Sequence, residues 1–388
     1  MGEDGPDGLC PAGRAALEEA DLVFGSDRHL AMLPPLRGEV RVWPQPFRNA
    51  LPHILAERGR KICVIATSDP FHYGIGAGLS RAISEDELEI IPQISSFAMA
   101  CTRMRWAQEE CALVSLHGRT LQRIVPLLQP DARILALAWD ETSPAAVAKL
   151  LAERGMGASE LTVMEVLGGP HERIRKTRAD AFDLAEVHPL NLIAVSVKAP
   201  DATQMLPLTP GLEARWFEND GSLMPDDLRA ITLAALQPRV GGLLWDVGAA
   251  CGDVSAEWCL RHPSNRSIAF EAKEERGALA TRNRIALGSL RVTVAGAAPA
   301  AFAEKESPDA VFIGGGIGDD GVVEGAFGAL KSGGRLVANA ATAEGKARLV
   351  ALAGQYGGDL RSIAVDMLDA GGNPTSATAI TQWRVTKG

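Results

Sequence analysis

The sequence predicts an α/β protein of two domains, the second a doubly wound, Rossmann-like sheet. Three observations carry this. The chain has 388 residues, more than one core of ordinary size organises. Short apolar runs alternate with helical patterns along its length, as parallel strands joined by crossover helices do. The stretch Leu-Leu-Trp-Asp-Val-Gly-Ala-Ala-Cys-Gly-Asp-Val-Ser, residues 243–255, runs from an apolar strand into a helical pattern through a turn with Gly248 and Gly252 four apart.

Glu271 closes the next apolar stretch, Ser267-Ile268-Ala269-Phe270. Strand, glycine turn, helix, strand and acid form the layout with which such a sheet holds a nucleoside. The glycines let a ligand approach the backbone, and the acid accepts hydrogen bonds from ribose hydroxyls. Ala250 stands where G-x-G-x-x-G has its middle glycine, which weighs against a nicotinamide-dependent dehydrogenase. Asp309 to Gly316 reads as a buried strand opening onto glycines, and 330–339 as helix end, Gly-Gly turn and strand. Both strands should end at the carboxyl edge, where ligands bind.

In the first half, strands are expected at 20–25, 61–66, 111–116, 133–137 and 191–197, with a further extended run at 89–92. Helical segments follow at 97–106 and after Thr142-Ser143-Pro144, where proline occupies a permitted first-turn position. Residues 198–221 carry Pro200, Pro207 and Pro210 with few apolar pairs. The first domain is accordingly placed at 1–200, a linker at 201–221 and the second domain at 222–388. The second domain opens with a helix over 226–236. Strands follow at 243–247, 267–271, 291–295, 310–313 and 335–339, then a terminal hairpin edge.

Composition narrows the function classes. The net charge is −9 and neither half is basic, so nucleic acid is disfavoured as a partner. No apolar run approaches ~18 residues, so no membrane span is expected, and the acidic start lacks an apolar signal region. The six cysteines are dispersed without C-x-x-C, and no histidine pair has zinc spacing. Reduced thiols, no metal and a cytoplasmic location are expected.

Residues 215–345 resemble the small precorrin methyltransferases of cobalamin synthesis that decarboxylate and methylate. The resemblance rests on Leu-Met-Pro-Asp-Asp-Leu-Arg (223–229), Leu-Trp-Asp-Val-Gly (244–248), Phe-Ile-Gly-Gly-Gly (312–316) and Val-Ala-Asn-Ala-Ala-Thr-Ala-Glu (337–344). The first half resembles the tetrapyrrole methylase family. It does so in Gly-Glu-Asp-Gly-Pro-Asp-Gly-Leu (2–9), Gly-Ser-Asp-Arg-His-Leu (25–30), Thr-Ser-Asp-Pro-Phe-His-Tyr-Gly-Ile-Gly (67–76), Ile-Ser-Ser-Phe (94–97) and Val-Ser-Leu-His-Gly-Arg (114–119). The resemblance implies a tetrapyrrole methylase domain followed by a Rossmann-like S-adenosylmethionine methyltransferase domain, each with its own S-adenosylmethionine site. The first would methylate meso carbon 5 of a precorrin. The second would methylate meso carbon 15 and remove the carboxyl of the ring C acetate.

In the second site Gly248, Cys251 and Gly252 would wrap the amino-acid end of the cofactor, Glu271 would bind ribose, and Ala297 and Ala298 would flank adenine. In the first, Asp69, Ser95 and Ser96 would line it. Two departures from the family stand out: Ser68 replaces the usual glycine before Asp-Pro, and Ala297 stands where many methyltransferases have an acid. Residues 2–8 resemble the loop after a first strand, yet only Met1 precedes them. An exposed edge is therefore expected on the neighbouring strand, 61–66 or 20–24, and a loose first cofactor site.

Candidate substrate contacts are Asn339, Thr342 and Glu344, which follow a strand at the ligand edge, and His117 and Arg119, which end a strand in the first half. No catalytic residue is assigned. A sulfonium is already activated, so methyl transfer needs mainly alignment, and a tetrapyrrole supplies its own electron sink for decarboxylation. His72 beside its turn, and the run Arg173, Arg175, Lys176 and Arg178, read more simply as structure and as a solvated face. A homo-oligomer is expected. The alternatives are a methyltransferase on another small molecule, a nicotinamide dehydrogenase, and a non-catalytic nucleoside-binding module.

Overall fold

The computed structural model describes residues 1–44, 49–200 and 204–388, apart from the side chains of residues 376 and 377. It contains two compact units. The first comprises Met1–Leu121 and Gln129–Gln204, and the second Gln122–Leu128 and Met205–Gly388.

The first unit contains two sheets. In one, β1 (Leu22–Gly25) lies between β2 (Glu39–Val42) and β3 (Ile62–Val64), all parallel. β1 is buried along its whole length, so its run Leu-Val-Phe is apolar without alternation. The other sheet is formed from β4 (Cys111–Ser115), β5 (Arg133–Leu137), β6 (Glu160–Glu165), β7 (Arg173–Arg178) and β8 (Asn191–Ser196), in the order β4-β5-β8-β6-β7. Only β4 and β5 run parallel; β8, β6 and β7 add antiparallel pairs. The basic run at 173–178 is thus an edge strand, and charged side chains there protect an edge from further pairing. Arg173 and Arg175 both donate to the buried carboxylate of Glu165, and Arg178 pairs with Asp180.

The expected extended run at 89–92 forms no strand. Its backbone groups have no backbone hydrogen-bond partner among the described residues.

The second unit is built on one seven-stranded sheet. Its strands are β9 (Leu243–Val247), β10 (Arg266–Phe270), β11 (Val292–Ala295), β12 (Ala310–Ile313), β13 (Arg335–Ala340), β14 (Asp359–Leu368) and β15 (Pro374–Thr386). The order is β11-β10-β9-β12-β13-β15-β14. The first five run parallel, and the β14–β15 hairpin adds antiparallel to β13. The chain leaves β9 toward β10 and β11 on one side and returns to β12 on the other. In sheets of this kind such a reversal marks the ligand-binding edge, here the carboxyl ends of β9 and β12. Trp245, Phe270 and Phe302 pack ring to ring beneath it, with centroids 4.8 to 5.1 Å apart.

From Met205 onward the stretch expected as linker belongs to the second unit. Leu206, Leu212 and Phe217 are buried. The cause is a buried charge cluster. Glu257 accepts the N–H groups of Gly211 and Leu212 at 2.7 and 2.9 Å. Arg229 donates to Glu257, Asp253 and the carbonyls of Met224 and Leu212. Proline-rich composition signalled a chain without secondary structure, and these side chains lie 17 to 46 residues from the backbone groups of the segment that they bind.

Candidate active sites

In the second unit the candidate residues gather around the turn after β9. Gly248 has φ of +73°, and a Cβ there would lie 2.6 Å from the backbone of Gly315. Gly252 has φ of +76°, and its Cβ would lie 2.8 Å from the Cβ of Ala280 in the helix Glu274–Ala286. Both glycines therefore serve close approach within the protein: one lets the turns after β9 and β12 meet, the other seats two helices. Ala250 is held at φ +50°, a region non-glycine residues rarely adopt.

Glu271 secures that turn. Its Oε2 accepts the Ala250 N–H at 2.8 Å and its Oε1 accepts the Lys273 N–H at 2.9 Å. The residue is half-buried, and each carboxylate oxygen keeps lone-pair capacity beyond its one backbone bond. Cys251 is fully buried, and burial pushes its thiol up to about 12. It can offer a ligand only backbone, and it is no nucleophile at neutral pH. Ala297 is exposed and Ala298 half-buried in the loop after β11.

Asp246, at the end of β9, receives the N–H and hydroxyl of Ser255 on one oxygen, while its Oδ1 is buried and unpartnered. Burial pushes its carboxyl up to about 7 despite the Ser255 bonds. Beyond β13, Asn339 donates to Thr232 at 2.9 Å and accepts from Gln382 at 3.1 Å. Thr342 caps the helix Ala343–Tyr356 by accepting the Gly345 N–H. Of these three candidates Thr342 and Glu344 are exposed, and Glu344 is the one whose side chain has no hydrogen-bond partner among the described residues.

Sequence reasoning passed over Asn283, which is 2 % exposed. Its amide donates to the carbonyls of Cys251 and Glu218 and accepts the Glu218 N–H, at 2.8 to 2.9 Å. The turn after β9 and the segment before the helix Asp226–Leu236 are thus tied to one side chain. A signal existed: Asn283 shares a helix face with Ala280 and Leu287, an apolar face where a polar residue needs a buried partner. Likewise Asp253 and Glu257 stand i, i+4 on one helix, facing Arg229.

In the first unit the motifs at 67–76 and 94–97 come together. The hydroxyls of Ser68 and Ser96 lie 3.5 Å apart. With Gly2, Glu3, Thr67 and Asn191 they line a small cavity. Ser68 adopts φ +52°, which explains why a glycine suits that position. Ser95 caps the helix Ser96–Met104 by accepting the Ala98 N–H at 3.1 Å, so its hydroxyl is already engaged. Asp69 accepts the Phe71 N–H at 2.8 Å and shapes the turn.

His72 packs on Phe97 with ring centroids 4.5 Å apart. Tyr73 donates its hydroxyl to the Leu113 carbonyl. The Arg119 guanidinium lies 5.0 Å over the Tyr73 ring. Arg119 and the motif at 67–76 therefore share one surface, and His117 is exposed beside them.

Among the described residues no group of histidine, cysteine and acidic side chains is arranged to hold a metal, and no helix is long and apolar enough to cross a membrane.

Residues 1–183 match the Tetrapyrrole (Corrin/Porphyrin) Methylases family, and residues 215–387 match the Precorrin methyltransferase domain family. The chain is 43 % identical over 395 residues to a precorrin-6Y C(5,15)-methyltransferase (decarboxylating) of Sinorhizobium sp, covering 100 % of this chain and 95 % of the relative. It is 36 % identical over 394 residues to the protein of the same name in Mycobacterium tuberculosis, covering 100 % and 98 %. Among solved structures, the C-terminal domain of precorrin-6Y C5,15-methyltransferase from Rhodobacter capsulatus is 36 % identical, covers 47 % of this chain and 100 % of that chain, and has a TM-score of 0.44.

Proposed function

We propose, since the chain belongs to the family of decarboxylating precorrin-6Y C(5,15)-methyltransferases, that its two units divide that family's reaction between them. The chain is an S-adenosylmethionine-dependent C-methyltransferase of cobalamin biosynthesis. It methylates precorrin-6Y at carbons 5 and 15 and removes the carboxyl of the ring C acetate, giving precorrin-8. On this reading residues 1–200 methylate carbon 5, while residues 222–388 methylate carbon 15 and decarboxylate. The observation that carries the division is that each unit builds its own candidate site: Ser68 against Ser96 in one, Ala250 against Glu271 in the other.

The residues around the turn after β9 suit S-adenosylmethionine. The orphaned, buried Oδ1 of Asp246 and the half-free Glu271 carboxylate provide acceptors for a ligand rich in N–H and O–H donors. The cofactor supplies an activated methyl group on a sulfonium. The protein's task is to bind and align. Glu271 accepts ribose hydroxyls, the backbone of Gly248, Cys251 and Gly252 follows the amino-acid end, and Ala297 and Ala298 flank the adenine. In the first unit Asp69, Ser95 and Ser96 border the cofactor, with Ser95 acting through the helix it caps.

Arg119 and His117 meet substrate carboxylates in the first unit. Glu344 faces substrate in the second, where Asn339 and Thr342 hold the strand end and helix start in place. A cytoplasmic homo-oligomer that binds neither nucleic acid nor membrane fits the acidic charge and dispersed cysteines. Incubation with precorrin-6Y and S-adenosylmethionine tests the assignment. The product should gain two methyl groups and lose one carbon dioxide by mass; a product with neither change refutes it.

A further inference from the structure

The outer strands of the second unit's sheet bring four arginines together. Arg335 opens β13, and Arg384 on β15 lies directly opposite Val337 of β13 and Asp359 of β14. Side chains alternate along a strand, so Arg335, Arg384, Asp359 and Arg361 project from one face. The helix Asp226–Leu236 covers part of this face. Asn339 donates to its Thr232, and Arg335 donates to Gln237, the residue after its last, at 2.6 Å. Arg239 follows two residues on and joins the group past the helix end.

Acceptors do not match these donors. Arg384 pairs with Asp359 at 3.4 Å, and Arg335 has only the Gln237 side-chain oxygen among the described residues. Arg239 and Arg361 are exposed and have no ion-pair partner among the described residues. The Nε–H groups of Arg335 and Arg384 are buried, and neither has a hydrogen-bond partner among the described residues. The Arg384 side chain as a whole is 13 % exposed. Burial, and after it Arg384 and Arg239, push the Arg335 guanidinium below its ordinary value; Asp359 opposes them and Arg361 adds to them. Glu165 in the first unit shows the satisfied alternative, where one buried carboxylate engages both Arg173 and Arg175. Four guanidinium groups beside the single carboxylate of Asp359, in a chain of net charge −9, lack the anion that would balance them.

We propose that this face of the sheet is a binding site for a diphosphate group, carried by the free anion or by a nucleoside diphosphate. The guanidinium fork matches phosphate oxygens in pairs. A carboxylate has too few oxygens to occupy Arg239, Arg335, Arg361 and Arg384 together, as the two arginines on Glu165 show. Two linked phosphates present enough acceptors and enough charge. The exposed Arg239 and Arg361 receive the anion first. The Nε–H groups of Arg335 and Arg384 gain acceptors as their guanidinium groups turn toward it. Arg335 stands at the amino end of β13 and Arg239 precedes the amino end of β9, whereas the turn with Gly248 follows the carboxyl end of β9. The site is therefore separate from the proposed cofactor site, and the proposal holds whatever that site binds.

Isothermal titration of pyrophosphate into the full chain tests it. Saturable binding is expected, with a Kd below about 1 mM. Arg335→Gln, and separately the double variant Arg239→Ser with Arg361→Ser, should each weaken binding about tenfold or more. The double variant alters only exposed side chains without ion-pair partners among the described residues, so it decides the matter if Arg335→Gln does not fold. Asp359→Asn should tighten binding, because the competing carboxylate is gone. Pyrophosphate should also slow phenylglyoxal labelling of Arg239 and Arg361, read by peptide mass spectrometry, and leave that of the exposed Arg81 in the first unit unchanged. ADP distinguishes the carrier: an affinity equal to that of pyrophosphate assigns the free anion, and a tighter one assigns a nucleotide. No saturable binding, undiminished binding by the double variant, weaker binding by Asp359→Asn, or citrate binding as tightly as pyrophosphate overturns the proposal.

Discussion

The carboxylate of Glu271 accepts the backbone N–H of Ala250 at 2.8 Å, so the acid that ends one strand holds the turn that follows its neighbour. Ala250 sits at φ +50°, a conformation costing an alanine roughly 1 kcal/mol or more, and Glu271 offsets part of that cost. The residue proposed to bind ribose therefore also shapes the turn proposed to receive the rest of the cofactor.

Replacing it should have two effects. Glu271→Ala removes a charge-assisted contact and frees the turn, lowering affinity at the second site by about 1.5–3 kcal/mol, roughly tenfold to over a hundredfold. Glu271→Gln retains an oxygen for Ala250 and should lose less. Isothermal titration of S-adenosylhomocysteine into the full chain measures both. Unchanged affinity in Glu271→Ala would remove the residue from the site.

Asn283 carries a larger structural load. Its loss leaves the buried Cys251 carbonyl and both part-buried Glu218 backbone groups without this partner. Asn283→Ala should destabilise the second unit by about 2–4 kcal/mol, from unmade hydrogen bonds at 1–3 kcal/mol each with partial rescue by water. It should weaken the second cofactor site as well, because the Cys251 carbonyl belongs to that turn. Asn283→Asp keeps the acceptor for Glu218 and loses both donations. Denaturant unfolding of the full chain, read at the second unit's tryptophans, gives the stability. A cost under 0.5 kcal/mol would mean that the tie is dispensable.

The second unit was legible because each parallel strand is a short apolar run closed by a turn, and the Gly248–Gly252–Glu271 spacing depends on local chemistry. β2, β6, β7 and β14 were missed. β2 and β7 lie at sheet edges, where polar and charged side chains alternate and burial leaves no mark on the sequence. The roles of Gly248 and Gly252 could be read only as glycine-demanding; whether ligand or protein fills the space depends on Gly315 and Ala280, far along the chain. Asn339 looked like a ligand-edge residue, and it is one by position, but Thr232 and Gln382 had to be placed before its amide proved engaged. The buried cluster of Arg229, Asp253 and Glu257 was hidden for the same reason: the charges pair only after two helices meet.

Asp246 gives the second unit a pH dependence opposite to that of an ordinary paired carboxylate. Burial raises its carboxyl from 3.8 to about 7. Below about pH 4 the group is protonated in the folded and unfolded chain alike. Between about 4 and 7 the unfolded chain has released the proton and the folded chain has kept it, so this group lowers stability by about 1.4 kcal/mol per pH unit. Above 7 both forms are ionised and the loss stops growing. Asp246→Asn should flatten the slope in that window. Unfolding free energies of both proteins across pH 4–8 decide it, and parallel curves would show that Asp246 ionises in the fold as it does in the unfolded chain.

Arg119 offers the sharpest separation of the two units. Its guanidinium carbon lies 5.0 Å from the centroid of the Tyr73 ring, while Tyr73 is fixed by its bond to the Leu113 carbonyl. Arg119 is exposed and has no ion-pair partner among the described residues. A cation positioned by an aromatic face and left without a carboxylate is prepared to receive one from a ligand. The carboxylate-rich precorrin provides that group, and the contact would exist before and during methyl transfer, so it should act through KM more than through kcat. Arg119→Ala is expected to raise KM for carbon 5 methylation about tenfold, worth about 1.4 kcal/mol, with Arg119→Lys intermediate because it keeps the charge without the flat fork. Carbon 15 methylation and decarboxylation should continue at the original rate. At limiting substrate the variant should then accumulate a product that has gained one methyl group and lost one carbon dioxide. Equal loss of both methylations would place Arg119 outside the carbon 5 site, and the full two-methyl product at unchanged KM would remove it from substrate binding altogether.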